Sequence, residues 1–283
     1  MHPHSLIGLP ARHMTNPIEV QFEEIIAEAT DQFGDHEGIR TATVARWLSQ
    51  FREQDRALAE KILRATARHY YYSASQIRKM SSELAQSVYS THRKTPKNRI
   101  YFIPIGDPGS GAHYISRSLR SADIVPRRNL ISLAELEKLD RRNVDVIVFF
   151  DDFSGTGHTI LDWWPKIEPL VLPKEARVLL ALLVVNEKAR NQLEAAHFRV
   201  IAVEELDSSA NVFGPENHHF SANDKTALLA VCKQTGCSEE YLRGYGECGL
   251  LVAFKHNCPN NSIPVLWYEN PGKWRPLFVR RAL

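Results

Sequence analysis

The sequence has no long apolar run: nothing in its 283 residues approaches the ~20 consecutive apolar positions that a membrane-crossing helix needs. Met1 to Met14 are polar and histidine-rich where a secretory leader would carry its apolar segment, so the expected compartment is the cytoplasm, with no membrane partner. An excess of one charge sign is also missing. A formal net charge of +2 creates no global field toward nucleic acid or a membrane surface and leaves only local basic patches to consider. Cysteine is scarce, with four residues, all late: Cys232, Cys237, Cys248 and Cys258. A reducing compartment argues against disulfides, and a zinc site needs thiolates paired about two to four residues apart. Only Cys232 and Cys237 come near that spacing, with His256 as an extra ligand, so the favoured expectation is reduced and mostly buried thiols. Internal repeats and low-complexity tracts are absent, which excludes solenoids and extended arrays.

What is present is apolar material, 43% of the residues, enough to bury a sizeable core. From Pro17 to about His92 it recurs at helical spacing: Phe22, Ile25, Ile26 and Ala29, then Val44, Trp47, Leu48 and Phe51. Two further helices are expected over Arg56 to Tyr72 and Ser75 to Tyr89, and Thr95-Pro96-Lys97-Asn98 reads as a linker. After it the rhythm changes to short apolar runs, Arg99 to Ile105, Val144 to Phe150, Arg177 to Val185 and Phe198 to Val203, each the length of a strand buried on both faces. Helical stretches at His113 to Arg120, Gly157 to Ile167 and Glu187 to Ala196 separate them. The fold expected is therefore α/β, a mostly parallel sheet flanked by helices, with an N-terminal helical region over 1–98 and the α/β domain over 99–283. Two more strand-like runs, Leu250 to Phe254 and Pro264 to Tyr268, close the chain.

In open α/β sheets ligands sit beyond the carboxyl ends of the strands. The run ending at Phe150 continues Asp151, Asp152, Phe153, Ser154, Gly155, Thr156, Gly157, His158, Thr159 and then enters a helix. A glycine- and hydroxyl-rich turn at a helix N-terminus offers backbone N–H groups, hydroxyl donors and the positive end of the helix dipole to a phosphate. Two adjacent carboxylates before it accept hydrogen bonds from vicinal sugar hydroxyls or hold a magnesium ion through oxygen. A sugar phosphate satisfies both features.

The stretch VIVFFDDFSGTGHTI resembles the strand, acidic pair and phosphate loop of type I phosphoribosyltransferases over its whole length. That resemblance implies that Asp151 and Asp152 contact the ribose hydroxyls of phosphoribosyl pyrophosphate (PRPP), and that Ser154, Gly155, Thr156, Gly157, His158 and Thr159 hold its 5′-phosphate. It also places a pyrophosphate loop after the first core strand, at Gly106, Asp107, Gly109, Ser110 and Gly111, with magnesium arriving on the substrate. Purine-specific members carry an acidic residue where this chain has Gly155, which argues against purine salvage. Arg117, Arg120, Arg127 and Arg128 are the candidates for basic groups on the pyrophosphate. The tail, Gly244-Tyr245, Leu250 to Phe254, His256 to Pro264 and Trp267, resembles the substrate-covering C-terminal segment of phosphoribosyltransferase-like effectors of bacterial conflict systems, retron-linked ones among them. The Trp47 to Phe51 helix resembles that group too. Partners implied are PRPP or a related nucleotide, with a homodimer, a defence-system protein or nucleic acid left open.

Two other readings compete. The segment Gly106 to His113 has the glycine spacing of a nucleotide-binding P-loop, but Ala112 stands where that loop needs its lysine, and Ser154 to Thr159 go unexplained. A ribose-phosphate or nucleotide sensor without turnover keeps the sheet and turns the N-terminal helices toward DNA through Arg40, Arg46, Arg52 and Arg56. The near-neutral charge favours a solvated helix face for those arginines. His218-His219 on a polar loop and Trp163-Trp164 after the phosphate loop are read as exposed histidines and packing tryptophans.

Overall fold

The structure, a computed structural model, describes residues 17–106, 110–121, 124–278 and 280. Helices α1 (Pro17–Gln32), α2 (Thr41–Ser49) and α3 (Arg56–Ala65) open the chain. The helix expected to run on to Tyr72 instead ends in a π-turn, Thr66–Tyr70, and Tyr71–Tyr72 form a short strand, β1. No glycine or proline marks that break. It is made by tertiary pairing, since aromatic residues suit a pleated, half-buried surface and β1 finds its partner far down the chain. Helix α4 (Ala74–Thr91) then starts on a capping box, with the Ser73 hydroxyl accepting from the Gln76 amide and the Gln76 side chain accepting from the Ser73 amide.

The four apolar runs become β2 (Ile100–Pro104), β3 (Val146–Ser154), β4 (Arg177–Asn186) and β5 (Val200–Leu206), an all-parallel sheet in the order β2-β3-β4-β5. Along β3 the two-residue period sorts side chains into two cores. Val146, Val148 and Phe150 pack with α4 and with α5 (Gly111–Ser121), while Ile147 and Phe149 pack with α6 (Leu133–Lys138), α7 (His158–Val171) and α8 (Glu187–Ala195). Both faces are thus covered, as a parallel sheet requires. Trp163 and Trp164 meet the ring of Phe149 edge-on, so they are half-buried packing residues against the core. No helix among the described residues is long and apolar enough to cross a membrane.

The rest of the chain returns to the N-terminal helices. Helix α9 (Ala222–Gln234) starts on a second Ser-x-x-Asp box, Ser221 with Asp224. Strand β6 (Ala253–Phe254) pairs in parallel with β1, Tyr71 opposite Ala253 and Tyr72 opposite Phe254. The run from Pro264 is a short helix, α10 (Pro264–Trp267), because proline at the first helical position is already set to the helical φ. These elements and α1 to α3 share a third core that includes Phe33, Trp47, Leu63, Val231, Leu266 and Phe278. The Val265 carbonyl accepts from the indoles of both Trp47 and Trp274, at 2.7 and 3.0 Å. Cores therefore cross residue 98 in two ways: α4 lies on the sheet, and α1 to α3 pack with the tail.

His36, after α1, is 5% exposed and packs edge-on against Phe278. Burial above all holds its pKa down at about 4 rather than 6.5. Between those values the unfolded chain binds the proton and the folded one does not, so stability is expected to fall as pH drops through this window. The loss is roughly 3 kcal/mol in all. Urea midpoints at pH 7 and pH 4.5 measure it, and His36→Phe is expected to flatten the difference; an unchanged profile in that variant would assign the slope to other groups.

Candidate functional site

Strand β3 runs past Phe150 and carries the acidic pair on its last turns of pleat, with Ser154 as its final residue. Gly157 then takes φ +81, a left-handed conformation that suits glycine, and delivers the chain to the first residue of α7. Within the loop Ser154, Gly155, Thr156 and Gly157 are buried, while His158 and Thr159 are exposed. On the neighbouring strand end, Gly106 turns at φ +84, and Ser110 bridges the Ile105 carbonyl and His113 Nδ1, both at 3.1 Å. Asp107, Pro108 and Gly109 lie outside the described residues.

The two strand ends meet at the acidic pair. The Ala112 amide, in the first turn of α5, donates to Asp151, and the Asp152 amide donates to Asp151 Oδ1 at 2.9 Å. Gly111 gives the pair its room: a Cβ there would overlap the Asp152 carboxylate. Enclosure, and after it the neighbouring Asp152, push Asp151 well above the ordinary carboxylate range, against the pull of those two amides. Asp151 and Asp152 thus stand between the N-termini of α5 and α7, two places where backbone N–H groups favour anions.

The tail forms a strap over this region. Tyr245 OH lies 3.3 Å from His158 Nδ1, the Cys248 thiol donates to the Gly155 carbonyl at 3.5 Å, and Lys188 donates to the Gly246 carbonyl at 2.7 Å. The Asn261 side chain occupies the space a Cβ at Gly155 would need, and its Nδ2 donates to the Tyr245 carbonyl at 3.0 Å. Where an acidic loop residue was missed in the sequence, the structure places an amide brought from the tail. His256 Nε2 meets Asp152 Oδ2 at 2.7 Å, and its ring stacks on Tyr114 of α5 at 4.4 Å. Sequence reasoning named His256 as an extra zinc ligand and, with Tyr245 and Asn261, as part of a tail resembling a substrate-covering segment, but gave none of the three a partner in the site and missed Tyr114 and Lys255. No local signal marks them, because each reaches the site through tertiary folding.

Three of the arginines considered for the pyrophosphate, Arg120, Arg127 and Arg128, lie elsewhere. Helix α5 starts at the site and runs away from it, so Arg120, near its end, sits roughly 14 Å along the axis from Gly111 at ~1.5 Å per residue. Arg127 and Arg128 follow at the opposite end of the sheet, where Asn129 donates to the carbonyl of Ile100, the first residue of β2. Arg52 is paired with Asp55 at 2.8 Å. The four thiols are free, Cys237 half-buried and the others buried, and His219 stacks on His69. Among the described residues no group of three or more His, Cys, Asp and Glu side chains is set to hold a metal. Two carboxylates still match the way magnesium binds, through one or two protein oxygens plus substrate phosphates and water.

A parallel sheet covered on both faces, with an acidic pair and a glycine-turned loop at its carboxyl edge, defines a phosphoribosyltransferase-like α/β protein. Residues 44–280 match the family model PRTase-CE, and the chain belongs to that family. Among solved structures, orotate phosphoribosyltransferase from Aeropyrum pernix is similar at 15% identity, covering 45% of this chain and 69% of that one, with a TM-score of 0.30. The Mycobacterium tuberculosis H37Rv enzyme is similar both in complex with inorganic phosphate (16% identity, 44% and 70% covered, TM-score 0.28) and with PRPP (15%, 44% and 73%, 0.28). At such scores the likeness does not reach individual residues. A search of curated proteins finds no match.

Proposed function

We propose that this chain is a phosphoribosyltransferase that binds PRPP and passes the phosphoribosyl group to a nitrogen acceptor. The observation that carries the reading is the placing of Asp151 and Asp152 between two helix N-termini, one for each phosphorylated end of such a substrate. In this reading the amides and hydroxyls of Ser154 to Thr159 hold the 5′-phosphate. Gly106, Ser110 and Gly111 lie on the diphosphate side, and the carboxylates take the vicinal ribose hydroxyls. Magnesium, carried in on the diphosphate and held by Asp151 and Asp152, would offset the charge of the leaving group. The bond from C1 to the diphosphate oxygen breaks, its electron pair leaving with the diphosphate. A bond from C1 to the acceptor nitrogen forms, and the proton of that nitrogen passes to solvent. Positive charge developing on the ribose is stabilised by the carboxylates, so no covalent protein nucleophile enters.

A non-catalytic ribose-phosphate sensor is the second reading, favoured by the engagement of Asp152 with His256. Calorimetry with PRPP and magnesium, followed by a pyrophosphate-release assay against pooled cellular metabolites, separates the two. Binding with release is expected. Binding without release supports the sensor, and absence of binding removes both. A role in cytoplasmic antiviral defence, proposed from the tail's resemblance, adds that expression of the active chain depletes the acceptor in cells.

A further inference from the structure

Transfer from PRPP sets free a diphosphate carrying several negative charges, and a site that releases it needs a cation at the leaving-group end. Of the arginines legible in the sequence, Arg127 and Arg128 are at the far edge of the sheet and Arg120 is near the distant end of α5. At the carboxyl edge the strap brings a different one. Lys255 follows β6 directly, and its amide donates to the Tyr72 carbonyl at 2.9 Å, which extends the β1 and β6 pairing by one residue. That bond fixes where the side chain starts. Its Nζ lies 5.4 Å from the ring centroid of Tyr114, in the first turns of α5, and the neighbouring His256 covers the same ring at 4.4 Å. Gly111 and Ala112, whose backbone faces the acidic pair, are within one helical turn of Tyr114. Lys255 makes none of the ion pairs found among the described residues, whereas Lys61, Arg64 and Arg99 are each bound to a carboxylate. Its ammonium rests on the aromatic face of Tyr114, which holds a cation weakly at a half-exposed position, and its charge also reaches the buried His36.

Resting on the PRPP reading above, we infer that Lys255 is the cation that binds the leaving diphosphate, supplied by the C-terminal strap. The expected effect is confined to one end of the substrate. Lys255→Met keeps the bulk of the stem and the backbone bond to Tyr72, and removes only the charge. It should weaken PRPP and inorganic pyrophosphate roughly ten- to a hundredfold and leave ribose 5-phosphate within about twofold, with Lys255→Arg restoring most of the loss.

The test is titration calorimetry of the full chain with these three ligands in magnesium buffer, for wild type and both variants, with melting temperatures alongside. Loss of PRPP and pyrophosphate affinity with ribose 5-phosphate retained supports the assignment. Equal weakening of all three ligands, or a lowered melting temperature with affinities unchanged, overturns it and leaves Lys255 as packing on Tyr114. A wild-type chain that binds ribose 5-phosphate but neither PRPP nor pyrophosphate also overturns it while the 5′-phosphate loop stands. A wild-type chain that binds none of the three ends both the inference and the reading beneath it.

Discussion

The double replacement Asp151→Asn with Asp152→Asn is expected to abolish PRPP binding and turnover while leaving the protein folded. Charge-assisted hydrogen bonds from ribose hydroxyls contribute about 1.5–3 kcal/mol each, so losing two lowers affinity by roughly two to four orders of magnitude. The folded state has reason to gain. Asp151 is held above its ordinary pKa by enclosure and by Asp152, so its charged form costs stability at every pH above the unfolded value, and the cost is relieved as pH falls through the raised one. A neutral amide of the same shape removes that cost. Melting temperature at neutral pH should therefore stay level or rise as binding disappears. Calorimetry and a thermal melt on one preparation check both halves, and undiminished PRPP binding by a folded double variant would remove the carboxylates from the site.

The second large effect concerns the strap. Gly244 has φ +72, and a Cβ there would overlap the backbone carbonyl of Asn261, which sits where the strap folds back on itself. Backbone cannot move aside as a flexible side chain does. The neighbouring amides are engaged as well: Tyr245 donates to the Asn260 carbonyl and Gly249 to the Arg243 carbonyl, both at 2.7 Å. Gly244→Ala is expected to cost about 2–4 kcal/mol, combining left-handed strain with a steric clash. Gly272 has φ +82 with nothing within 4 Å of its Cβ position, so Gly272→Ala reports strain alone, about 1 kcal/mol. Chemical denaturation of the two variants compares them. Equal losses would mean that the strap gives way at Asn261.

The parallel sheet was legible because its strands are buried on both faces and read as unbroken apolar runs, and because Asp151 to Thr159 follow one of them directly. Residues at a single strand end are close in sequence as well as in space. The strap was not legible in the same way. Asn261 against Gly155 and His256 against Asp152 join positions far apart in the chain, with no periodicity to announce them. Helices α6 and α9 lie outside the expected elements although Ser132-x-x-Glu135 and Ser221-x-x-Asp224 mark their starts, because their apolar periodicity is short or weak beside those capping signals. The strand expected from Pro264 to Tyr268 failed on a similar point, since the proline there opens a helical turn.

The pairing of β1 with β6 has a consequence for the order of events during synthesis. Tyr71 and Tyr72 leave the ribosome before any strand of the parallel sheet, and their partners Ala253 and Phe254 leave after all of it. Until then the early helices lack the partners that complete their core, and Asp152 has no His256 to meet. Contacts of such long sequence separation form slowly. A nascent chain therefore carries its acidic pair uncovered from the synthesis of β3 until the strap emerges, and acquires a finished site only when Ala253 and Phe254 reach back to Tyr71 and Tyr72.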